Sequence, residues 1–195
     1  MQTFNVLLVS DDVNSTHELE VGLSQSGAEN VVVIDVAGNI LKALNESDVD
    51  LIVLDMEKPT TAVFEQFSIV SEYCPKPVVC FSKERDSAII AKSVKAGVSA
   101  YIVDGKDLDR IKPIIEVAIM RFGECQAVKK ELAQVKDKLS ERAVIEKAKG
   151  LLIEHKSMTE DSAYKALRKM AMDQGKKISV VSHEVCDVFT GLSVS

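Results

Sequence analysis

The sequence contains no tryptophan, and aromatic residues make up only 5% of it. No apolar run approaches the roughly 18 residues that a membrane-spanning helix needs, so we expect no membrane segment. Four cysteines are scattered without CxxC spacing, which argues against a zinc site and favours reduced thiols. The first twelve residues lack the basic segment that opens a secretory signal, and we therefore expect a cytoplasmic protein.

Charge is unevenly divided along the 195 residues. The net charge is −6, but residues 1–125 carry 11 basic and 20 acidic side chains, whereas residues 126–195 carry 13 basic and 10 acidic ones. A chain of this length is sufficient for one domain and a smaller module. The acidic front part and the mildly basic back part therefore suggest different partners, although this excess of basic charge does not by itself indicate nucleic-acid binding.

The front part alternates short apolar runs with segments of helical spacing. The runs are continuous and rich in β-branched residues, as expected of strands that are buried on both faces of a parallel sheet. Five such runs alternating with helices predict an α/β fold with a five-stranded parallel sheet. The runs are "NVLLV" (5–9), "NVVVID" (30–35), "DLIVLD" (50–55), "PVVCFS" (77–82) and "SAYIV" (99–103).

Acidic side chains follow two of these predicted strands. Asp11 and Asp12 come after the first strand, and Asp55 ends the third. Because parallel strands end at the same edge of a sheet, the three carboxylates are expected to converge. Their repulsion would be relieved by a shifted pKa or by a divalent cation, and Mg²⁺ prefers such oxygen ligands. The alternative is that Asp11 and Asp12 only cap the next helix; no cofactor is required by the sequence.

Residues 1–122 resemble the receiver domain of bacterial response regulators, which has a flavodoxin-like fold. The resemblance is carried by the acidic pair, by Asp55 in "LIVLDMEKP", by Ser82, and by "KAGVSAYIV" before the fifth loop. It implies that Asp55 is the phosphoryl acceptor, that Asp11 and Asp12 bind Mg²⁺, and that Ser82 is the switching hydroxyl of a two-component system.

One position departs from the receiver pattern. Receivers carry a lysine directly after the fifth strand, but this sequence reads "YIVDGKD", with Asp104 in that place. A further negative charge would repel a phosphoryl group, and Lys106 in a loop is a poorer clamp even if it folds back. We therefore expect regulation by protein binding rather than ordinary phosphorylation switching.

A long helix without an obvious break is predicted after the fifth strand. Val128, Leu132, Val135 and Leu139 recur at spacings of four, three and four residues, which is a heptad seam of less than three heptads. We interpret residues 123–140 as a coiled-coil-like helical linker. The seam is compatible with a parallel homodimer.

Residues 141–195 are predicted to form a small bundle of three helices. The segments "ERAVIEKAKGLL", "SAYKALRKMAM" and "KKISVVSHEV" resemble, in order, the helices of the ANTAR domain, the RNA-binding module of transcription antiterminators. A receiver joined to this domain resembles the AmiR/NasT group, and most of all its nitrate-responsive branch. The resemblance implies a non-enzymatic antitermination regulator of nitrate or nitrite assimilation, which binds leader RNA with hairpin loops and is controlled by a nitrate- or nitrite-binding sensor protein.

The candidate RNA contacts are polar or flexible positions on the first two helices of this bundle. Arg142 and Lys149 are two helical turns apart and are expected to share a face. Three alternatives stay open: Tyr164 could be half-core, Gly150 could serve helix packing, and the basic residues could be ordinary surface. The full set is Arg142, Lys147, Lys149, Gly150, Tyr164, Lys165, Arg168 and Lys169.

Two other functions stay open. The first is a phosphorylation-switched DNA-binding response regulator, although the third helix, "ISVVSHEVCDVF", is poor in side chains that read base edges. The second is an adaptor whose bundle docks on a protein. A stand-alone enzyme is not expected, because the sequence shows neither a nucleophile with its base nor a phosphate-binding loop.

Overall fold

The computed structural model describes the backbone of residues 3–192 and the side chains of residues 3–189. The chain divides into two compact units, Met1–Gln126 and Ala127–Ser195. This division differs from the three predicted segments 1–122, 123–140 and 141–195, whose last residues lie outside the described part of the chain. None of the described helices is both long and apolar enough to cross a membrane.

The first unit is a five-stranded parallel sheet with strand order β2-β1-β3-β4-β5, as the sequence predicts. Five strands alternate with helices along the chain. The strands are β1 (Phe4–Ser10), β2 (Ala28–Asp35), β3 (Leu51–Met56), β4 (Val78–Ser82) and β5 (Ala100–Val103), and the helices are α1 (His17–Gln25), α2 (Ile40–Glu46), α3 (Thr61–Tyr73), α4 (Ser87–Lys95) and the start of α5 (Leu108–Lys156).

Helices cover both faces of the sheet. On one face, Leu54 lies in a core with Phe64 and Phe67 of α3; on the other, Val53 lies in a core with Leu19 of α1 and Ile111 of α5. All six residues of β3 are buried, because this strand has a neighbour on each side and a helical layer on each face. The expectation of complete burial is wrong for β2 and β5, whose residues are half-buried or exposed because these are the edge strands.

The second unit contains the C-terminal part of α5, then α6 (Glu160–Gln174) and α7 (Ile178–Leu192). One core joins the three helices through Ala148, Leu152, Leu167 and Cys186. Gly175 ends α6 with a φ of +62°, a left-handed conformation that glycine adopts without steric cost. The predicted three-helix bundle and long helix are both present.

Candidate functional site

The sheet brings three acidic side chains to one edge of the first unit. β1 and β3 pair in parallel with Ser10 opposite Asp55, so Asp11 and Asp12 leave the sheet beside Asp55. The Asp11 backbone N–H donates to the Asp55 carbonyl oxygen at 3.2 Å. Together with Ser82 and residues of the loop after β5, these residues line a cleft of about 520 Å³. Asp11, Asp12, Asp55 and Ser82, which the sequence places at strand ends, thus line one cleft.

Asp55 is only 3% exposed. Its Oδ1 lies 2.6 Å from Lys106 Nζ, whereas its Oδ2 is buried and has no hydrogen-bond partner among the described residues. Burial raises the pKa of the Asp55 carboxyl above its ordinary value, the Lys106 ammonium offsets part of this rise, and the negative charges of Asp11 and Asp12 add to it. The ionised form of Asp55 is therefore less favourable in the folded protein than in water.

The loop after β5 brings Lys106 back to Asp55, which the sequence allows but does not require. The Asp104 carboxylate turns to Arg85 and forms an ion pair with its guanidinium, and Asp104 itself has a φ of +50°. Two residues later, Lys106 reaches back to Asp55. The ammonium beside Asp55 thus comes from a lysine two positions beyond the usual one, and the Asp104 carboxylate is paired with Arg85.

Three further polar side chains of the cleft form hydrogen bonds with backbone groups. Asp12 Oδ1 accepts a hydrogen bond from the Asn14 N–H at 3.1 Å, so the capping alternative is realised for a short 3₁₀ turn at Val13–Ser15. Asp11 Oδ2 accepts from the Glu57 N–H at 2.8 Å. The Ser82 hydroxyl donates to the Glu57 carbonyl oxygen at 3.2 Å.

Binding of Mg²⁺ by Asp11, Asp12 and Asp55 therefore stays a prediction. Within residues 3–189, no three acidic, histidine or cysteine side chains are close enough together to form a preassembled metal site. The positive charge that compensates Asp55 here is the Lys106 ammonium.

In the second unit, Lys149 is the candidate whose environment differs most from the prediction. Contrary to the expected outward face shared with Arg142, Lys149 is 8% exposed, whereas Arg142 is exposed. Its Nζ lies 2.9 Å from a carboxylate oxygen of Glu146 and 3.0 Å from Oε1 of Glu160. These hydrogen bonds raise the pKa of the Lys149 ammonium. Lys149 is therefore a buried, charged residue whose ammonium is paired with the carboxylates of Glu146 and Glu160.

Gly150, next to it, has an open environment. A methyl group added at this position would meet no described atom within 4 Å. The helix-packing explanation for Gly150 is therefore wrong, and the glycine leaves the α5 backbone uncovered at this point.

An exposed row on α6 contains four of the candidates; we call Tyr164, Lys165, Arg168 and Lys169 the α6 basic face. Tyr164 is 45% exposed and lies one turn before Arg168, while Lys165 lies one turn before Lys169. Lys165 pairs with Asp161 at 2.6 Å, but both side chains are exposed, and such pairs contribute little. The opposite side of α6 supplies Ala163 and Leu167 to the core. Arg142 and Lys147 are also exposed, on α5.

The capping of α6 explains where this helix begins. Thr159 accepts a hydrogen bond from the Ser162 N–H through its side chain, as a threonine N-cap does. Glu160 is thereby fixed in the first turn, where a negative charge is favoured by the helix dipole.

Three important residues escape the sequence reasoning: Arg85, Glu146 and Glu160. The spacing of Glu146 and Lys149, three residues apart on one helix, is a signal that sequence could provide. Glu160 and Arg85 give no such signal, because their partners lie on other elements.

Comparisons with known proteins agree with this arrangement. Residues 133–185 match the ANTAR domain family. The transcriptional regulatory protein PdtaR of Mycobacterium tuberculosis is 27% identical over 185 residues, covering 93% of this chain and 89% of that protein. A nitrate regulatory protein of Klebsiella oxytoca is 36% identical over 77 residues, which are 40% of this chain and 19% of that protein. A response regulator from Thermotoga maritima shares the fold, with a TM-score of 0.51 and 21% identity, covering 61% of this chain and 99% of that one.

The first unit thus has a receiver-like fold with an acidic cleft, and the second contains the segment that matches the ANTAR domain family. We call them the receiver unit and the ANTAR unit. This combination is similar to that of the AmiR/NasT type of regulator.

The raised pKa of Asp55 predicts how a neutral side chain changes the stability of the first unit. Because the folded-state pKa lies above the ordinary value of 3.8, ionised Asp55 opposes folding at neutral pH, and this penalty disappears as the pH falls towards 3.8. Asp55→Asn should therefore increase the free energy of opening of β3 at pH 7, and the gain should shrink at lower pH. Hydrogen exchange of the β3 amides measures it.

Asp48→Asn, at an exposed position, is the matched control and should leave β3 exchange unchanged. Faster exchange of β3 in Asp55→Asn at pH 7 would show instead that the ion pair with Lys106 outweighs the cost of burial.

Proposed function

We propose that this regulator binds hairpin leader RNA through the ANTAR unit and thereby prevents transcription termination. The observation that carries the proposal is the α6 basic face, where an exposed aromatic ring and an arginine lie one helical turn apart, about 6 Å along the axis. Sequence-specific RNA recognition favours looped, unstacked bases, which stack on aromatic rings while cations contact the phosphates. Tyr164 and Arg168 supply these two kinds of contact on a rigid helix.

The neighbouring cations extend this surface. Arg142, Lys147, Arg168 and Lys169 are exposed, and none of them forms an ion pair with another residue in the described part of the chain. Such cations are available to replace the counterions of a nucleic-acid backbone. Lys149 is not in this position, because its ammonium already has two carboxylate partners.

The competing functions are less well supported. A DNA-reading helix needs polar side chains that reach base edges, and α7 supplies apolar residues to a core instead. A purely protein-docking bundle would not need the concentration of cations on α6. The relatives are regulatory proteins by name, and we propose that this protein, too, acts in the cytoplasm without catalysing a metabolic reaction.

A binding assay with a two-hairpin leader RNA, performed across a series of salt concentrations, tests this function. Tyr164→Ala should weaken binding by about 1–3 kcal/mol, because one base loses its stacking partner. Arg168→Ala should make the slope of log K against log salt shallower by about 0.7, because one phosphate contact is lost. Lys130→Ala, an exposed lysine on α5 outside this face, is the control and should retain wild-type affinity.

Equal affinity of the wild type for hairpin RNA and for unstructured RNA would contradict the proposal. Preference for duplex DNA would support the DNA-binding alternative.

We also propose that the ANTAR unit acts as a parallel homodimer. The heptad residues Val128, Leu132, Val135 and Leu139 are between 52% and 69% exposed in the single chain, and apolar residues at this spacing bury one another when two copies pair. Two hairpins in one leader would then meet two copies of the α6 basic face.

Oxidative cross-linking through an introduced cysteine tests the dimer. In a Cys125→Ser background, which removes the exposed native thiol, Val135→Cys should form a disulfide-linked dimer because position 135 faces its copy across the seam. Asp137→Cys, two residues away at the heptad position farthest from the seam and exposed, should not. Equal cross-linking at both positions, or none at 135, would contradict a seam in this register.

Control by a sensor is the remaining part of the proposal. Residues 1–125 carry a large excess of acidic side chains, and one relative is named a nitrate regulatory protein. We propose that a nitrate- or nitrite-binding sensor binds the receiver unit and blocks RNA binding until its ligand is present. Phosphorylation of Asp55 is not required in this mechanism.

Titration of the complex between wild-type protein and hairpin RNA with such a sensor tests the control step. The sensor should weaken RNA binding, and added nitrate or nitrite should restore it. If the sensor leaves RNA affinity unchanged in both conditions, control through this partner is excluded.

A further inference from the structure

The second unit contains a charged cluster that the RNA-binding surface does not use. Lys149 on α5 lies between Glu146 on the same helix and Glu160 in the first turn of α6. The contact to Glu160 spans eleven residues of sequence and joins two helices. The side chain of Lys149 is 10% exposed, whereas those of Glu146 and Glu160 are 57% and 75% exposed.

The ammonium of Lys149 depends on these two carboxylates. A covered cation without a partner would be costly, and near the positive N-terminal end of α6 it would also be opposed by the helix dipole. Glu160 removes both difficulties, because it pairs with the cation and places a negative charge at that helix end. The hydroxyl cap of Thr159 fixes where Glu160 lies.

We infer that Lys149 is a positioning residue for RNA binding, which holds the N-terminal turn of α6 against α5 through Glu160. The inference rests on the RNA-binding function proposed above and assigns Lys149 no phosphate contact. Glu160 lies four residues before Tyr164 and eight before Arg168, on the same helix, so the ion pair sets where both side chains stand relative to Arg142 and Lys147 on α5.

Neutralising Glu160 distinguishes this role from direct contact by the sign of its effect. If Lys149 touched RNA, Glu160→Gln would remove a repelling charge and release the lysine, and binding would become tighter. If Lys149 positions α6, Glu160→Gln weakens hairpin binding, by about fivefold for one partly exposed ion pair. Glu154→Gln, an exposed glutamate on α5, is the charge-matched control and should not weaken binding.

The salt series provides a second criterion in the full-length chain. Lys149→Met should weaken binding of the hairpin RNA without changing its salt slope, whereas Arg168→Ala changes the slope. The double variant Lys149→Met/Glu160→Gln should bind no more weakly than Lys149→Met, because both changes break the same contact. Tighter binding by Glu160→Gln, or a shallower slope in Lys149→Met, would overturn the inference.

Hydrogen exchange without RNA separates failure of this inference from failure of the proposed function. Both Lys149→Met and Glu160→Gln should accelerate exchange in the first turns of α6, and Glu154→Gln should not. Unchanged exchange in both variants overturns the positioning role whatever the RNA result. Accelerated exchange in a protein whose wild type shows no preference for hairpin RNA overturns the RNA-binding function and, with it, the role of the contact in binding.

Discussion

The two units obey one constraint: a charged group can be buried only where an opposite charge lies beside it. In the receiver unit the buried charge is Asp55, and its partner is Lys106 at 2.6 Å. In the ANTAR unit the covered charge is Lys149, and its partners are Glu146 and Glu160. The pairs of Lys106 with Asp55 and of Lys149 with Glu160 join separate segments of the chain. Both determine which polar groups remain available to ligands.

In the receiver unit, this constraint arises from the parallel sheet itself. β1 and β3 end at the same edge of the sheet, so Asp11 and Asp12 lie close to Asp55. In the loop after β5, Asp104 forms an ion pair with Arg85, and Lys106 forms an ion pair with Asp55. The receiver unit therefore has a lysine beside Asp55, and the charge of Asp104, which stands at the usual lysine position, is balanced by Arg85.

In the ANTAR unit, the same constraint divides the cations into two groups. Lys149 is paired at the contact between α5 and α6, whereas Arg168 and Lys169 remain exposed on α6, beside the exposed ring of Tyr164. A surface that binds RNA by stacking and by phosphate contacts needs the second group, and it needs the helix that carries them to stand in a fixed place.

Much of this arrangement could be predicted from sequence because it follows local patterns. Continuous β-branched runs predict β1, β3 and β4, and parallel topology then predicts that Asp11 and Asp55 approach. Thr159 and Gly175 predict both ends of α6. Whether Lys106 returns to Asp55 could not be decided from the sequence, since it depends on the path of a short loop after Asp104. The burial of Lys149 could not be predicted either, because Glu160 reaches it only once α6 has packed against α5. The half-exposed β2 and β5 follow from their edge positions, which a run of apolar residues does not reveal.

We propose that the outer face of α6 contacts the RNA while Lys149 stays inside the protein. Photo-cross-linking of the whole chain to a hairpin RNA with thiouridine in its loop, followed by identification of the linked peptides, distinguishes these two surfaces. We expect cross-links within the segment 164–169 and none at Lys149. Cross-links confined to Lys149, to α7 or to the receiver unit would contradict it.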